Sequence, residues 1–197
     1  LVDYLLENNL PGLYISDLAE IAWMLNIRGN DIAYNPFIIS FLYVSADGKH
    51  VMYVNEEQIS DIKDYLSGLG IDIAPYDEEL ARYNAETPVA EWKCVKNHVE
   101  QDGFRQAHIR DGVAMVRFFV RLEKAMSEGE RVTELWVDKV LTSLRAEQKG
   151  FLSLSFETIA AVSSCACSKR RLLLLSTSLA TIDPVASTTN QTLRLDV

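Results

Sequence analysis

A long amphipathic helix in the middle of the chain constrains the fold more than any other feature of the sequence. Apolar residues recur at roughly helical spacing between Phe104 and Leu122, which predicts a helix that ends near Ser127. The acidic, glycine-containing segment 128–130 follows and ends the helix. Because an amphipathic helix buries one face, the fold has to supply elements that cover that face.

A second helix and a strand are predicted directly after the long helix. Thr133 has the position of a helix N-cap, an acidic residue follows it, and Gly150 is placed to close the helix. Apolar and small polar residues then alternate over residues 151–159, which is typical of a half-buried strand. The order helix, helix, strand follows for this region.

The front half of the chain predicts an alternation of strands and helices. Ser16 or Asp17 can cap a helix, and Asp47-Gly48 is a strong signal for a hairpin. The predicted elements are a helix over 1–9, a strand over 13–15, a helix over 17–25, strands over 37–44 and 50–54, a helix over 56–69 and a strand over 71–73. The front half is therefore predicted to be α/β.

Charge is distributed unevenly along the chain. Residues 1–92 hold sixteen Asp and Glu against four Lys and Arg, a formal charge of −12, whereas residues 93–197 hold twelve against fifteen, a formal charge of +3. The front half lacks the stripe of Lys and Arg that neutralises phosphates, so we expect no nucleic-acid partner. An apolar share of 48% is ample for a buried core.

The cysteines and the apolar runs favour a cytoplasmic protein without a membrane partner. Cys94, Cys165 and Cys167 are odd in number, and two of them are one residue apart, so they form no plausible disulfide framework. The chain opens on Leu1 without the basic and apolar segments of a secretory leader. The longest purely apolar run has five residues, Ile21 to Leu25, far below the roughly 20 that span a bilayer.

Particular residues in both halves add a family resemblance to these patterns. They are Asp17–Trp23, Leu25–Asp31, Tyr34–Pro36, Lys96–Asn97, Glu100, Gly103–Arg105, Ala107–Ala114, Thr133–Glu134 and Ser155–Ile159. Together they resemble the Xaa-Pro aminopeptidases (aminopeptidase P) of the creatinase/methionine-aminopeptidase superfamily. The most specific run is residues 20–36. The resemblance covers residues 1–162 and, more thinly, 187–196.

The resemblance implies a creatinase-like α/β middle domain followed by an incomplete pita-bread (α+β) catalytic domain. On this basis residues 1–86 are the creatinase-like domain, incomplete after Tyr76, residues 87–97 are a connection, and residues 98–197 are the first part of the peptidase domain. Residues 163–183 depart from the family pattern. We therefore expect a truncated member of the family.

The resemblance also implies the chemistry of the intact enzyme. Such enzymes release the N-terminal residue from peptides with proline at the second position, using two divalent ions, usually manganese, held by two Asp, one His and two Glu. These ligands lie on segments after the point where this chain ends, so we expect no bound metal, no catalytic residue and no activity in this chain. The resemblance further implies a possible homodimer. The alternative is a non-catalytic pseudo-enzyme or protein-interaction module.

The chain's own polar residues offer few candidates for a site. The histidines His50, His98 and His108 are scattered, and no pair has ligand spacing. A surface or packing role is expected for His108. The loop over residues 27–36 contains Gly and Pro, which favour a fixed backbone. There Arg28 and Asn35 are candidate substrate-binding residues, with structural hydrogen bonding in the loop as the alternative.

Overall fold

The computed structural model describes residues 1–83, 86–162, 172–174, 180–182 and 193–194. The chain divides into two compact units, Leu1–Asn97 with Ser187–Val197, and His98–Ala186. The first unit contains α1 (Val2–Glu7), β1 (Gly12–Ile15), α2 (Leu18–Leu25), β2 (Ile27–Arg28), β3 (Ser40–Ser45), β4 (His50–Val54), α3 (Lys63–Gly68), β5 (Ile71–Ala74), α4 (Val89–Cys94) and β10 (Leu193–Arg194). The second contains α5 (His98–Ser127), α6 (Glu134–Ala146), β6 (Phe151–Leu154), β7 (Ala160–Val162), β8 (Leu172–Leu174) and β9 (Ala180–Ile182).

A four-stranded sheet in the order β1-β3-β4-β5 organises the first unit. Strands β1, β3 and β4 pair antiparallel, and β5 pairs parallel with β4. The predicted hairpin between β3 and β4 is confirmed, and Gly48 has the positive φ of 84° that its turn requires. The mixed α/β character predicted from the sequence is confirmed in this unit.

Alternation along the strands gives this sheet two different faces. One face packs into the main core, whose buried side chains include Leu5, Ile15, Ile21, Leu42, Met52, Val54, Ile59 and Leu66. The opposite face is aromatic. Tyr14 and Tyr43 are cross-strand partners with ring centroids 4.6 Å apart, and Tyr83 stacks on Tyr14 at 5.4 Å. Burial raises the pKa of Tyr14, with a smaller contribution from the neighbouring tyrosines.

Helix caps in the first unit follow the sequence prediction. The Asp17 carboxylate accepts a hydrogen bond from the Glu20 backbone N–H at 2.9 Å, which fixes the start of α2. Asn26 ends the same helix in the left-handed conformation, with φ of 51°. The predicted helix over 56–69 differs from the structure, because residues Glu56–Ile62 form a 3-10 helix and only Lys63–Gly68 are α-helical.

Two further predicted elements have different bounds in the structure. Strand β3 begins at Ser40 rather than at residue 37, because the backbone N–H of Ile39 donates to Asp31 instead of to a neighbouring strand. The strand predicted over 151–159 is shorter in the structure: β6 ends at Leu154, residues 155–159 lie in no strand, and β7 begins only at Ala160. Phe156 and Ile159 are exposed there, so the apolar alternation does not mark a continuous buried face.

In the second unit, α5 and α6 pack against each other. The buried side chains between them include Ala114, Phe118, Leu122, Val137, Leu141 and Leu144. The predicted N-cap is confirmed at Thr133, whose hydroxyl accepts from the Trp136 N–H at 3.2 Å, but α6 ends at Ala146 with Glu147 as its C-cap, before the predicted Gly150. Two antiparallel pairs complete the description, β6 with β9 and β7 with β8. The divergent segment 163–183 lies outside the described residues except at 172–174 and 180–182.

Candidate functional site

The loop between β2 and β3 is closed by hydrogen bonds of its own. The Gly29 N–H donates to the Pro36 carbonyl at 3.1 Å, and the Asp31 N–H donates to the Phe37 carbonyl at 3.3 Å. One Asp31 carboxylate oxygen accepts from the Ile39 N–H at 2.7 Å. The loop therefore has the defined backbone that its glycine and proline predict.

Arg28 lies at the base of this loop and is half-buried. Its guanidinium donates to two backbone carbonyls, Ala22 at 3.0 Å and Ile27 at 2.8 Å. These bonds join the guanidinium to α2 and to its own strand, and Arg28 is also the cross-strand partner of Leu193. A structural role follows from this geometry, and the substrate-binding role of Arg28 stays a prediction.

Asn35 lies at the tip of the loop and is exposed. Its side-chain amide donates to the Ala33 carbonyl at 3.2 Å, and its backbone N–H donates to the Ile32 carbonyl at 3.1 Å. The preceding residue, Tyr34, has φ of 67°, which is rare for a residue with a side chain. A backbone conformation of this kind has an energetic cost, and such positions are frequent in functional loops. The substrate-binding role of Asn35 stays a prediction as well.

The histidines are spread over both units. His50 Nδ1 accepts from the Ser45 N–H at 3.3 Å in the first unit. His108 is exposed on α5, with Nδ1 2.8 Å from the Phe104 carbonyl, and His98 is exposed at the first residue of that helix. Within the described ranges, no three His, Cys, Asp or Glu side chains lie close enough to hold a metal ion. The described residues therefore do not fit a two-ion centre.

A buried ion pair in the second unit was not predicted from the sequence. Arg145 on α6 donates to both carboxylate oxygens of Asp111 on α5, at 2.6 and 3.2 Å, and its Nη2 also lies 3.8 Å from the Met115 sulfur. Asp111 is three residues from Ala114, on the face of α5 that packs against α6. The available signal was the Asp111 carboxylate within the apolar stripe of α5, which indicates a buried charge. The stripe does not identify its partner, Arg145, which lies 34 residues away.

A second unpredicted contact joins residues that are far apart in the first unit. Glu20 on α2 is buried and accepts a hydrogen bond from the Thr87 hydroxyl at 2.5 Å. The same hydroxyl accepts from the Val89 N–H at 3.2 Å at the start of α4. Thr87 thus connects the segment that precedes the second unit to α2.

Comparisons with known proteins agree with this architecture. Residues 1–87 match the family model of the Creatinase/Prolidase N-terminal domain. A probable Xaa-Pro aminopeptidase P from Coprinopsis cinerea is 35% identical over 191 residues, covering 74% of this chain and 30% of the relative. One from Pyricularia oryzae is 32% identical, covering 77% of this chain and 32% of the relative.

A solved structure extends the likeness to the fold. The X-prolyl aminopeptidase from Caenorhabditis elegans, described as a cytosolic enzyme with a di-nuclear active site, matches with a TM-score of 0.74 and 26% identity. The match covers 81% of this chain and 32% of that enzyme. The chain thus spans about a third of the length of the proteins it matches.

The front of the chain is a creatinase/prolidase N-terminal domain. The family-model match over residues 1–87 shows this, and the mixed sheet of the first unit is consistent with it. Over most of its length the chain is a relative of the Xaa-Pro aminopeptidases. The resemblance and the fold class predicted from the sequence are confirmed. In the part of the chain that the structure describes, no helix is long and apolar enough to cross a membrane.

Proposed function

We propose that this chain is part of an Xaa-Pro aminopeptidase, which removes the N-terminal residue from peptides with proline at the second position. The observation that carries the proposal is a likeness to one enzyme fold over 81% of the chain, at a TM-score of 0.74. In the intact enzyme, two divalent ions would supply the hydroxide that attacks the peptide carbonyl, and we propose manganese for both.

The chain's own contribution is a scaffold rather than the reacting groups. The expected two-ion centre needs carboxylates and an imidazole gathered at one place, and no such group occurs among residues 1–83 and 86–162 or in the short described strands after them. We therefore propose that this chain alone neither binds two ions nor hydrolyses Xaa-Pro peptides. The proposed units are residues 1–86, a connection over 87–97 and the first part of a peptidase domain from residue 98.

Titration with manganese tests this proposal directly. The purified chain is mixed with increasing Mn²⁺ and a fluorogenic peptide with proline second, and release of the first residue is followed. We expect a rate equal to that of buffer with Mn²⁺ at every concentration. Turnover that depends on both the metal and the chain would contradict the proposed inactivity, and a control with chelator identifies contaminating peptidase.

A second candidate function is an interaction module without catalysis. The observation that favours it is the outer side of α5, where Ile109, Val113, Val116 and Val120 are all exposed. Exposed apolar surface of this extent is common at protein-binding sites. Size-exclusion chromatography and a thermal melt distinguish the candidates: a monodisperse species with one cooperative transition favours the module, and an aggregating chain favours a part of a larger fold.

Location, assembly and the loop residues complete the proposal. We place the protein in the cytoplasm, supported by its odd number of cysteines and by the cytosolic description of the nematode relative, and cell fractionation tests this. We propose a homodimer for the intact protein.

We also propose Arg28 and Asn35 as contacts for the peptide. For the exposed Asn35, an Asn35→Ala variant should bind peptide more weakly at an unchanged melting temperature.

A further inference from the structure

An open cavity of about 500 Å³ lies at one edge of the sheet in the first unit. Its volume is in the range of pockets that bind small ligands. It is lined by Ile39, Val54, Asn55, Glu56, Gln58, Pro75 and Tyr76. Ile39, Pro75 and Tyr76 are exposed and form the walls, the fourth apolar member, Val54, is fully buried, and the three polar members come from the segment that follows β4.

The position of the cavity follows from the strand directions. Strands β4 and β5 are parallel, so the residues that follow both strands, Asn55 and Pro75, lie at the same edge. Ligands in α/β sheets bind outside the carboxyl ends of parallel strands, where loops diverge and leave a crevice. The cavity therefore lies beyond the carboxyl ends of β4 and β5, the parallel pair in this four-stranded sheet.

The walls are held in place by contacts outside the cavity. The Tyr76 ring stacks on the buried Phe41 ring, with centroids 5.4 Å apart and planes inclined by 17°. The backbone of Ile39 is fixed by its hydrogen bond to Asp31 at 2.7 Å, and Val54 is fully buried. An apolar ligand would meet a preformed surface, which lowers the entropy cost of binding.

The rim of the cavity is acidic. Glu56 lines it, and the hydrogen bond from Lys63 at 2.6 Å lowers the pKa of its carboxyl, so Glu56 is ionised at neutral pH. Glu57 follows directly, and residues 77–79 after Tyr76 are three further acids. The segments 54–58 and 75–79 contain no Lys or Arg. Lys63 and Arg82 form ion pairs with Glu56 and Glu79, so the five acids at residues 56, 57 and 77–79 outnumber the two cations paired with them by three, and this excess attracts cations and repels carboxylate or phosphate ligands.

We propose that this cavity binds a primary ammonium group carried on an apolar or aromatic body. The apolar part packs against Tyr76, Ile39 and Pro75, and the ammonium lies at the rim beside Glu56, where it shares the carboxylate with the Lys63 ammonium. Two sources share this chemistry, the free amino end of a peptide with apolar first residues and a small free amine. The proposal stands on the cavity alone and does not depend on the proposed peptidase function.

Direct binding tests the proposal with three probes. Isothermal titration calorimetry compares Phe-Pro-Ala amide with a free amino terminus, the same peptide acetylated, and phenethylamine. We expect the free peptide, the amine or both to bind, and acetylation to weaken the peptide about fivefold, as for loss of an exposed ion pair. Binding of the peptide alone assigns the site to peptide ends, and binding of the amine alone assigns it to free amines. Absence of binding by both overturns the proposal, as does equal binding of the acetylated peptide.

Matched variants locate the binding. Tyr76→Ala and Glu56→Gln are each expected to lower, by about fivefold, the affinity for whichever probe the unaltered chain binds. Their controls are Tyr83→Ala, an exposed tyrosine that does not line the cavity, and Glu57→Gln, the neighbouring acid that does not line it. Controls that bind like the unaltered chain support the assignment. Loss of binding in the controls, or its retention in both cavity variants, contradicts it, and a thermal melt of each variant verifies folding.

Discussion

Arg145 is the largest fully buried side chain in the described part of the second unit, with an exposed fraction of 1%. Its charge is compensated by Asp111, which accepts two hydrogen bonds from it. Replacing Arg145→Ala leaves a buried carboxylate without a cation, so we expect unfolding free energy to fall by about 3–5 kcal/mol. Urea denaturation followed by circular dichroism measures the change.

An exposed ion pair on the same helix is the control for this substitution. Arg105 and Asp102 lie one turn apart on α5, with nitrogen and oxygen 2.5 Å apart, and both are exposed to solvent. Arg105→Ala should cost about 1 kcal/mol or less. The double variant Arg145→Met with Asp111→Leu should recover much of the stability, because it removes both charges. A single Arg145→Ala variant as stable as the Arg105→Ala variant would refute the argument.

Asp47 in the turn of the hairpin makes stability depend on pH in the acid range. The Ser45 hydroxyl donates to its carboxylate at 2.6 Å and, with the Lys49 N–H at 3.2 Å, lowers the pKa of Asp47 to about 2. Because the folded pKa lies below the ordinary 3.8, the stabilisation is complete above pH 3.8 and is lost as the pH falls through 2. Carboxyl carbon NMR should give a pKa near 2 in the unaltered chain.

Ser45→Ala provides the comparison for Asp47. Without the hydroxyl donor the pKa of Asp47 should move back toward 3.8, and stability should change less between pH 4 and pH 2. An unchanged pKa in this variant would mean that the Lys49 contacts, not Ser45, hold the carboxylate ionised.

At the scale of single elements, the start of α6 depends on Thr133. Its hydroxyl accepts from the Trp136 N–H at 3.2 Å and satisfies one of the free donors of the first turn. Thr133→Ala should therefore lower unfolding free energy by about 1 kcal/mol, measured by urea denaturation. Thr133→Ser retains the acceptor and should change it by much less. Equal losses in both variants would show that the methyl group, not the cap, is responsible.

Local signals predicted the elements that depend on local chemistry. The cap positions Asp17 and Thr133 were predicted correctly because a cap acts within one turn of its helix. The 3-10 segment Glu56–Ile62 was predicted as α-helix, because apolar spacing does not separate the two helix types over seven residues. The end of β6 at Leu154 was missed because apolar alternation continues to residue 159 without burial.

At the scale of the whole molecule, the sequence predicted the class of fold better than its contacts. Alternating strands and helices, together with the family resemblance, were enough for the α/β front half. The parallel pairing of β5 with β4, and the cavity that results from it, depend on contacts between distant residues. The contacts Glu20–Thr87 and Asp111–Arg145 were out of reach for the same reason, since nothing near either residue specifies its partner.

The outer side of α5 should control the solubility of the whole chain. Val116 and Val120 are each 64% exposed and lie one turn apart on the same side of the helix, whereas Phe118 between them is fully buried. Exposed apolar surface of this kind promotes association. Replacing both valines by glutamine should therefore shift the chain toward monomer in size-exclusion chromatography.

The stability of that double variant separates a surface effect from damage to the core. Exposed substitutions usually change unfolding free energy by about 0.5 kcal/mol or less, whereas Phe118→Ala should cost about 3–5 kcal/mol because it empties a buried position. We expect the glutamine variant to melt like the unaltered chain while associating less. If association persists with both valines replaced, another surface is responsible. If the melting temperature falls as far as it does in Phe118→Ala, the two valines are covered in solution.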